Sequence, residues 1–99
     1  MPYAPLLSDT EIADGLGRLP DWRREGDELL RTVRCETFRE AIALVNAVAD
    51  AAEEADHHPD IVINWRRVTF RLTTKASHGL SAKDLAMAAT IDRLSAGAA

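Results

Sequence analysis

The sequence predicts an α+β domain whose four-stranded antiparallel sheet carries three helices on one face, in the order α-β-β-α-β-β-α. Two pairs of strand-like segments, each joined by a short connection, predict two antiparallel hairpins. Helical patterns precede, separate and follow these hairpins, which favours a sheet covered on one face. A chain of 99 residues suits one domain, so we assign residues 1–99 to a single domain.

Composition and charge narrow the functional classes. A net charge of −4 argues against a general nucleic-acid binder, which needs a basic face. No apolar run approaches the roughly eighteen residues of a membrane span. The single cysteine, Cys35, excludes an internal disulfide and fits a reducing compartment, and the first five residues lack a signal-peptide pattern. We therefore expect a cytoplasmic protein with neither nucleic acid nor membrane as a partner.

Caps and turns mark the first helix and the first hairpin. Ser8 and Glu11 have capping-box spacing, and the helix that they open should stop near Gly15 or Gly17. A tight turn at Gly26-Asp27 joins two predicted strands. These strands are residues 22–25 and 29–35; in the second, Leu29, Val33 and Cys35 share one face, and Leu30, Thr32 and Arg34 share the other.

The longest helix begins after Thr37, which has capping-box spacing to Glu40. Its apolar face is predicted to contain Phe38, Ala41, Ile42, Val45, Val48, Ala49, Ala52 and Ala55. The many alanines suggest close packing against either the sheet or a partner helix. The helix must end before Pro59, because a residue that precedes proline disfavours helical dihedrals. His57 and His58 then lie just past a helix C-terminus, whose partial negative charge favours a protonated imidazole.

A second hairpin and a last helix complete the domain. Two strands at residues 61–65 and 68–73 should be joined at Arg66–Arg67, and a loop follows at residues 75–79. Ser81 is the predicted N-cap of the last helix, with Asp84 at the third helical position. A Leu80–Leu85 staple and an inner stripe of Leu85, Ala88, Ile91 and Leu94 are expected. The uncovered sheet face must meet solvent, a ligand or another subunit, so we expect a homodimer or homotetramer.

The adjacent histidines admit several interpretations. Such a pair can be ordinary surface or capping chemistry. Neighbouring residues rarely place both rings on one ion, and the chain has no His-x-x-x-His or Cys-x-x-Cys spacing, so we expect no metal. The chain also has no nucleophile-elbow pattern, which argues against a serine hydrolase.

The surroundings of the pair resemble the signature of the pterin-4a-carbinolamine dehydratases. The pattern is Glu53, three residues, His57-His58-Pro59, five residues, and Trp65. The resemblance continues through Thr73-Thr74 and Gly79-Leu80-Ser81 to Asp84, includes Trp22 and Gly26-Asp27, and so covers nearly the whole chain. The element order predicted above is similar to that family's fold.

The resemblance implies a hydro-lyase reaction. A 4a-hydroxytetrahydropterin loses water to give quinonoid dihydropterin, as in tetrahydrobiopterin recycling, without a metal or redox cofactor. By position, His57 and His58 match the family's active-site histidines, which suit general acid–base work near neutral pH. Asp84 matches the downstream aspartate and Glu53 the upstream acidic position, while Trp22 is placed to wall the pterin pocket. Each of the last three residues also has a purely structural interpretation: Asp84 as a helix cap, Glu53 as a solvated residue, and Trp22 as a core residue.

One position departs from the family pattern. A third histidine usually follows the threonine, where this chain has Lys75; another histidine, His78, stands three residues later. A charged lysine donates hydrogen bonds but does not readily shuttle protons. Two interpretations therefore remain open: an active dehydratase with Lys75 and His78 lining the pterin site, or a catalytically impaired homologue that binds pterin or protein.

Overall fold

In the computed structural model, residues 4–96 are described, and they form one sheet with helices packed on one side. The helices are α1 (Asp9–Leu16), α2 (Phe38–Ala55) and α3 (Ala82–Ser95), and the strands are β1 (Arg23–Glu25), β2 (Glu28–Arg34), β3 (Asp60–Asn64) and β4 (Arg67–Leu72). The four strands are antiparallel, in the spatial order β1-β2-β4-β3. The predicted fold class and element order are confirmed. The first and last three residues of the assigned domain lie outside the described residues.

The two hairpins use two-residue turns. The first begins at Gly26, whose φ of +59° lies in the left-handed region that glycine adopts without a Cβ clash. In the second, Asn64 pairs with Arg67, so the turn consists of Trp65 and Arg66. The predicted connection at Arg66–Arg67 was therefore wrong by one residue, because Arg67 already belongs to β4. Trp65 has a φ of +56°, which is unusual for a bulky residue.

The core lies between the sheet and the helices. In β2 and β4, the alternation of side chains between the two sheet faces determines which residues belong to it. Val68, Phe70 and Leu72 of β4 are fully buried, as the alternating pattern predicts. Leu30 is also fully buried, although it lies on the opposite face of the sheet. It pairs with Arg23 and Arg71 on the neighbouring strands, and the aliphatic stems of such arginines can cover an apolar side chain.

The buried face of α2 is narrower than the sequence suggests. Its buried residues are Ala41, Leu44, Val48 and Ala52. Leu44 was missing from the predicted stripe, whereas Phe38 belonged to it and is 52% exposed. The helix carries apolar residues on two sides, so periodicity alone did not separate the core side from the outer side. Phe38, Ile42, Val45 and Ala49 form an outer stripe at helical spacing that is exposed or half-buried.

The helix caps follow the sequence with one exception. At α1 the capping box is complete: Ser8 Oγ accepts from the Glu11 N–H, and the Glu11 carboxylate accepts from the Ser8 N–H. At α2 only half of the predicted box forms. Thr37 Oγ1 accepts from the Glu40 N–H, but the Glu40 carboxylate accepts from the Glu36 N–H. The Glu36 N–H, one residue before the cap, therefore donates to the Glu40 carboxylate in the place that the Thr37 N–H would take in a complete box.

Cys35 is a packing residue at the end of β2. It is 3% exposed and forms no disulfide. Burial raises the pKa of its thiol, and the Glu40 carboxylate raises it further, which disfavours the reactive thiolate. None of the helices within residues 4–96 is long and apolar enough to cross a lipid bilayer.

Candidate active site

The C-terminus of α2 directs the first histidine into the protein. Asp56 adopts the left-handed conformation, with φ 50° and ψ 44°. Its N–H donates to the Glu53 carbonyl, and the His57 N–H donates to the Ala52 carbonyl at 3.1 Å. This pair of bonds is the Schellman motif, in which the second residue after the helix packs back onto the last turn. His57 occupies that position and is only 2% exposed.

Asp84 binds the ring of His57 inside the domain. His57 Nε2 lies 2.6 Å from Asp84 Oδ1, and Asp84 is fully buried. An ionised carboxylate only accepts hydrogen bonds, so Nε2 carries the proton in this contact. The contact fixes the tautomer and orientation of the imidazole, as the carboxylate of a catalytic triad does.

Three donors satisfy the Asp84 carboxylate. In addition to His57, the Thr74 hydroxyl and the Ser81 N–H donate to Asp84 Oδ2, at 2.8 and 2.9 Å. Thr74 Oγ1 also lies 2.6 Å from Ser81 Oγ. Asp84 therefore caps α3 and holds His57 with the same carboxylate. The sequence analysis treated these two functions as alternatives, and the geometry joins them.

His58 lies at the surface beside Glu53. Its Nε2 is 2.5 Å from Glu53 Oε2, and the two side chains are 52% and 78% exposed. Glu53 belongs to the last turn of α2, and the left-handed Asp56 brings the chain back toward that turn. The two adjacent histidines therefore differ in environment. The imidazole of His57 is buried and contacts Asp84, whereas the imidazole of His58 is accessible and contacts Glu53.

Lys75 and His78 lie on the loop after β4. Lys75 begins a single 3₁₀ turn, Lys75–Ser77, and His78 ends it in the left-handed conformation, with φ +58°. Both residues are exposed. Lys75 directly follows Thr74, whose hydroxyl reaches Asp84, so the loop starts one residue from the buried network. Its closing bond runs from the Thr74 N–H to the Gly79 carbonyl at 2.9 Å.

The N-terminal segment holds this loop in place. The Ala4 N–H donates to Ser77 Oγ at 2.9 Å, and the Ser77 hydroxyl donates to the Ala4 carbonyl. The Leu7 N–H donates to the Leu80 carbonyl at 2.9 Å. Sequence reasoning missed Ser77, because nothing local signals a contact across 73 positions.

Trp22 lies in a different part of the core from the histidines. It is 5% exposed, and its Nε1 donates to Asp92 Oδ1 at 2.7 Å. Arg31 of β2 donates to the same carboxylate and thereby ties the sheet to α3. Asp92 is eight residues beyond Asp84, about 12 Å along the helix axis. The structure therefore brings His57, His58, Asp84 and Glu53 together at one end of the domain and places Trp22 further along α3.

A family model for pterin 4 alpha carbinolamine dehydratase matches residues 5–94. The chain belongs to this family. A relative from Nocardia farcinica, named as a candidate pterin-4-alpha-carbinolamine dehydratase, is 57% identical over 90% of this chain and 94% of its own length. A similarly named relative from Chloroflexus aurantiacus is 50% identical over 91% of this chain and 97% of its own length.

Two solved structures share the dehydratase-family fold. One is described as a transcriptional coactivator/pterin dehydratase from Brucella melitensis, with a TM-score of 0.89 and 25% identity over 92% of this chain and 99% of that chain. The other is described as a pterin dehydratase-like protein that is a RuBisCO assembly factor in the α-carboxysome. It has a TM-score of 0.68 and 26% identity over 80% of this chain and 93% of that chain.

The site of this family member is equipped for proton transfer. Two imidazoles lie in consecutive positions, and each has its own carboxylate partner. An accessible ring nitrogen can exchange a proton with a bound molecule. No group of three or more His, Cys, Asp or Glu side chains is arranged to hold a metal ion within the described part of the chain.

Proposed function

We propose that the protein dehydrates a 4a-hydroxytetrahydropterin to quinonoid dihydropterin and water, and thus is a hydro-lyase that serves tetrahydrobiopterin recycling. The observation that carries the proposal is the paired arrangement of His57 on Asp84 and His58 on Glu53. The family assignment supports it, because these four residues occupy the positions of the family signature.

The reaction needs two proton transfers and no redox step. The C4a–O bond breaks as a proton joins the departing hydroxyl, which leaves as water. The N5 proton is lost, and the nitrogen electron pair forms the C4a=N5 double bond. We assign one of these proton transfers to His58, because its imidazole is exposed to a bound substrate. It can protonate the leaving hydroxyl or accept the N5 proton. His57, oriented by Asp84, is the second imidazole of the pair.

Other side chains complete the proposed pterin site. Glu53 contacts the His58 ring and is proposed to contact the substrate as well. Lys75 and His78, on the loop after β4, are proposed to line the site. Trp22 remains proposed, as in the sequence analysis, as a substrate-binding residue that forms a wall of the pterin pocket. The proposed chemistry uses no cofactor. A cytoplasmic location remains a prediction.

A second candidate function is a catalytically impaired module that binds pterin or protein. Two observations favour it. Lys75 replaces the third histidine, and one solved neighbour with this fold is described as an assembly factor. Two measurements separate the functions: the rate of water loss from a carbinolamine pterin above the spontaneous rate, and the affinity for a stable reduced pterin. Binding without acceleration would support the module and exclude the enzyme.

Replacing Lys75 with histidine should raise turnover by about one to two powers of ten, at or below the usual contribution of about 10²–10⁴-fold for one positioned acid or base. Pterin affinity should change less, since the pocket keeps its shape. His78 is the competing source of the third imidazole, because the left-handed turn holds it three residues away on the same loop. The measurement is steady-state turnover of Lys75→His and His78→Ala under one set of conditions. No gain from the first and a large loss from the second would assign the role to His78.

Self-association should accompany this function. The outer stripe of α2 leaves Phe38 exposed, and the edge strand β3 leaves Val62 56% exposed. Apolar stripes and unpaired edges in so small a domain favour a homodimer or homotetramer. Phe38→Asp or Val62→Asp should reduce the oligomer mass measured by light scattering and show which surface is used. A stable monomer of the unmodified protein at micromolar concentration would contradict this expectation.

A further inference from the structure

A small basic cavity lies at the end of the sheet where β3 turns into β4. It has a volume of about 130 Å³ and is lined by Arg34, Trp65, Arg66 and Arg67. We call it the arginine cavity. The candidate active site lies before the start of β3, whereas this cavity lies beyond its end, about 16 Å further for a five-residue strand. The arginine cavity is therefore separate from the histidine pair.

No carboxylate of the described residues forms an ion pair with the arginines of this cavity. Arg34 and Arg67 are direct cross-strand partners, so their side chains leave the same face about 5 Å apart. Like charges in that position are destabilising. Among residues 4–96, none of the three cavity arginines has a carboxylate within ion-pair distance, whereas other arginines of the sheet do: Arg23, Arg24, Arg31 and Arg71. Although the chain has a net charge of −4, it thus has a local cluster of arginines without ion-pair partners among residues 4–96.

The hairpin turn adds an aromatic wall and an unsatisfied donor. The guanidinium carbon of Arg66 lies 4.3 Å from the Trp65 ring centroid, a cation–π contact. Arg66 Nε is buried and has no hydrogen-bond partner within the described structure. Trp65 is 67% exposed and adopts a positive φ, a conformation that is strained for such a residue. Arg66 Nη1 donates to the Glu36 carbonyl at 3.4 Å, so the guanidinium keeps an unsatisfied Nε and further donors that an anion can use.

We propose that the arginine cavity binds a phosphate group, either free or as a phosphate ester. Guanidinium groups match phosphate oxygens with paired hydrogen bonds, and three such groups suit an anion with several acceptor oxygens. The cavity volume equals that of about four water molecules, which is room for one tetrahedral oxyanion. An aromatic ester has a stacking surface in the exposed Trp65 ring. The site is independent of the proposed dehydration.

Nuclear magnetic resonance titration of the full chain tests the proposal. The ligands are inorganic phosphate and phenyl phosphate, with sodium acetate and sodium chloride as controls at equal ionic strength. Both phosphates should give saturable shifts at the Arg66 and Arg67 amides and at the Trp65 indole N–H, and the two controls should not. Tighter binding of phenyl phosphate would identify an aromatic ester as the ligand; equal binding would identify free phosphate.

Charge-neutral variants locate the site. Arg34→Gln and Arg67→Gln should each weaken phosphate binding about tenfold or more, because each removes charge-assisted hydrogen bonds. Both variants should fold, since they remove a like-charge pair, and thermal unfolding checks this. Arg18→Gln is the matched control, because Arg18 is exposed and also lacks an ion pair among the described residues. Equal shifts with chloride, unchanged binding by the Arg34/Arg67 double variant, or an equal loss in Arg18→Gln would overturn the proposal.

Discussion

Replacing His58 with alanine should lower the rate of carbinolamine dehydration by about 10²–10⁴-fold, the usual contribution of one positioned general acid or base. The fold should be unaffected, because His58 and its partner Glu53 are both exposed and such surface pairs contribute little to stability. The measurements are steady-state turnover and the thermal unfolding temperature of the same preparation. Wild-type turnover from His58→Ala would remove this histidine from the mechanism.

Two glutamates of α2 provide the matched control for His58. Glu53→Gln removes the carboxylate that holds the ring, so turnover should fall while pterin still binds. Glu54→Gln changes the neighbouring carboxylate, which is exposed and has no ion-pair partner among the described residues, and it should behave as wild type. An equal loss from both glutamine variants would indicate a general effect of surface charge rather than support of His58.

Replacing Asp84 with alanine should have the largest effect on stability. The change leaves His57 Nε2, the Thr74 hydroxyl and the Ser81 N–H without their buried acceptor. Breaking such a buried network by removing one partner costs about 3–5 kcal/mol. For a domain of this size each kcal/mol lowers the melting temperature by about 4–8 °C, so we expect a fall of about 12–40 °C. Calorimetry measures it, and an unchanged melting temperature would contradict the account of the network.

The same network changes the expectation for His57. A position just past the end of α2 predicts that either histidine can be removed without opening a core cavity. His57 is buried, so His57→Ala leaves both a cavity and an unpaired carboxylate, and the melting temperature should fall. His58→Ala should not lower it. A loss of activity in His57→Ala is therefore attributed to catalysis only if the variant is shown to be folded at the assay temperature.

Local rules predicted the elements of the fold because the signals lie close together in the sequence. Ser8 and Ser81 each stand three residues before an acidic partner, and both capping boxes form as predicted. The alternation of Val68, Phe70 and Leu72 correctly gave the buried face of β4. The outer stripe of α2 was not separated from the core stripe, since both are apolar and tertiary packing decides between them.

The sequence motif indicated the residues that are proposed for the site, but it did not indicate that His57 is buried. His57 is buried because Asp56 ends α2 in a left-handed conformation, and the usual signal for that ending is glycine. An aspartate in that position gave no such signal. Two further residues could not be placed from local sequence. Ser77 contacts Ala4, which is far away in the chain, and Thr74 belongs to a hydrogen-bond network with Asp84 that the motif does not specify. The arginine cavity arises from strand register, which sets Arg34 beside Arg67 and is not visible in either segment alone.

The most direct test of the account is a single-turnover measurement of carbinolamine decay with protein in excess. The absorbance change that accompanies formation of quinonoid dihydropterin gives the rate for wild type and for folded, pterin-binding His58→Ala. We expect the wild-type rate to exceed the spontaneous rate in proportion to protein concentration, and the variant to approach the spontaneous rate. A wild-type protein that binds reduced pterin yet leaves the spontaneous rate unchanged would contradict the account and show a binding module.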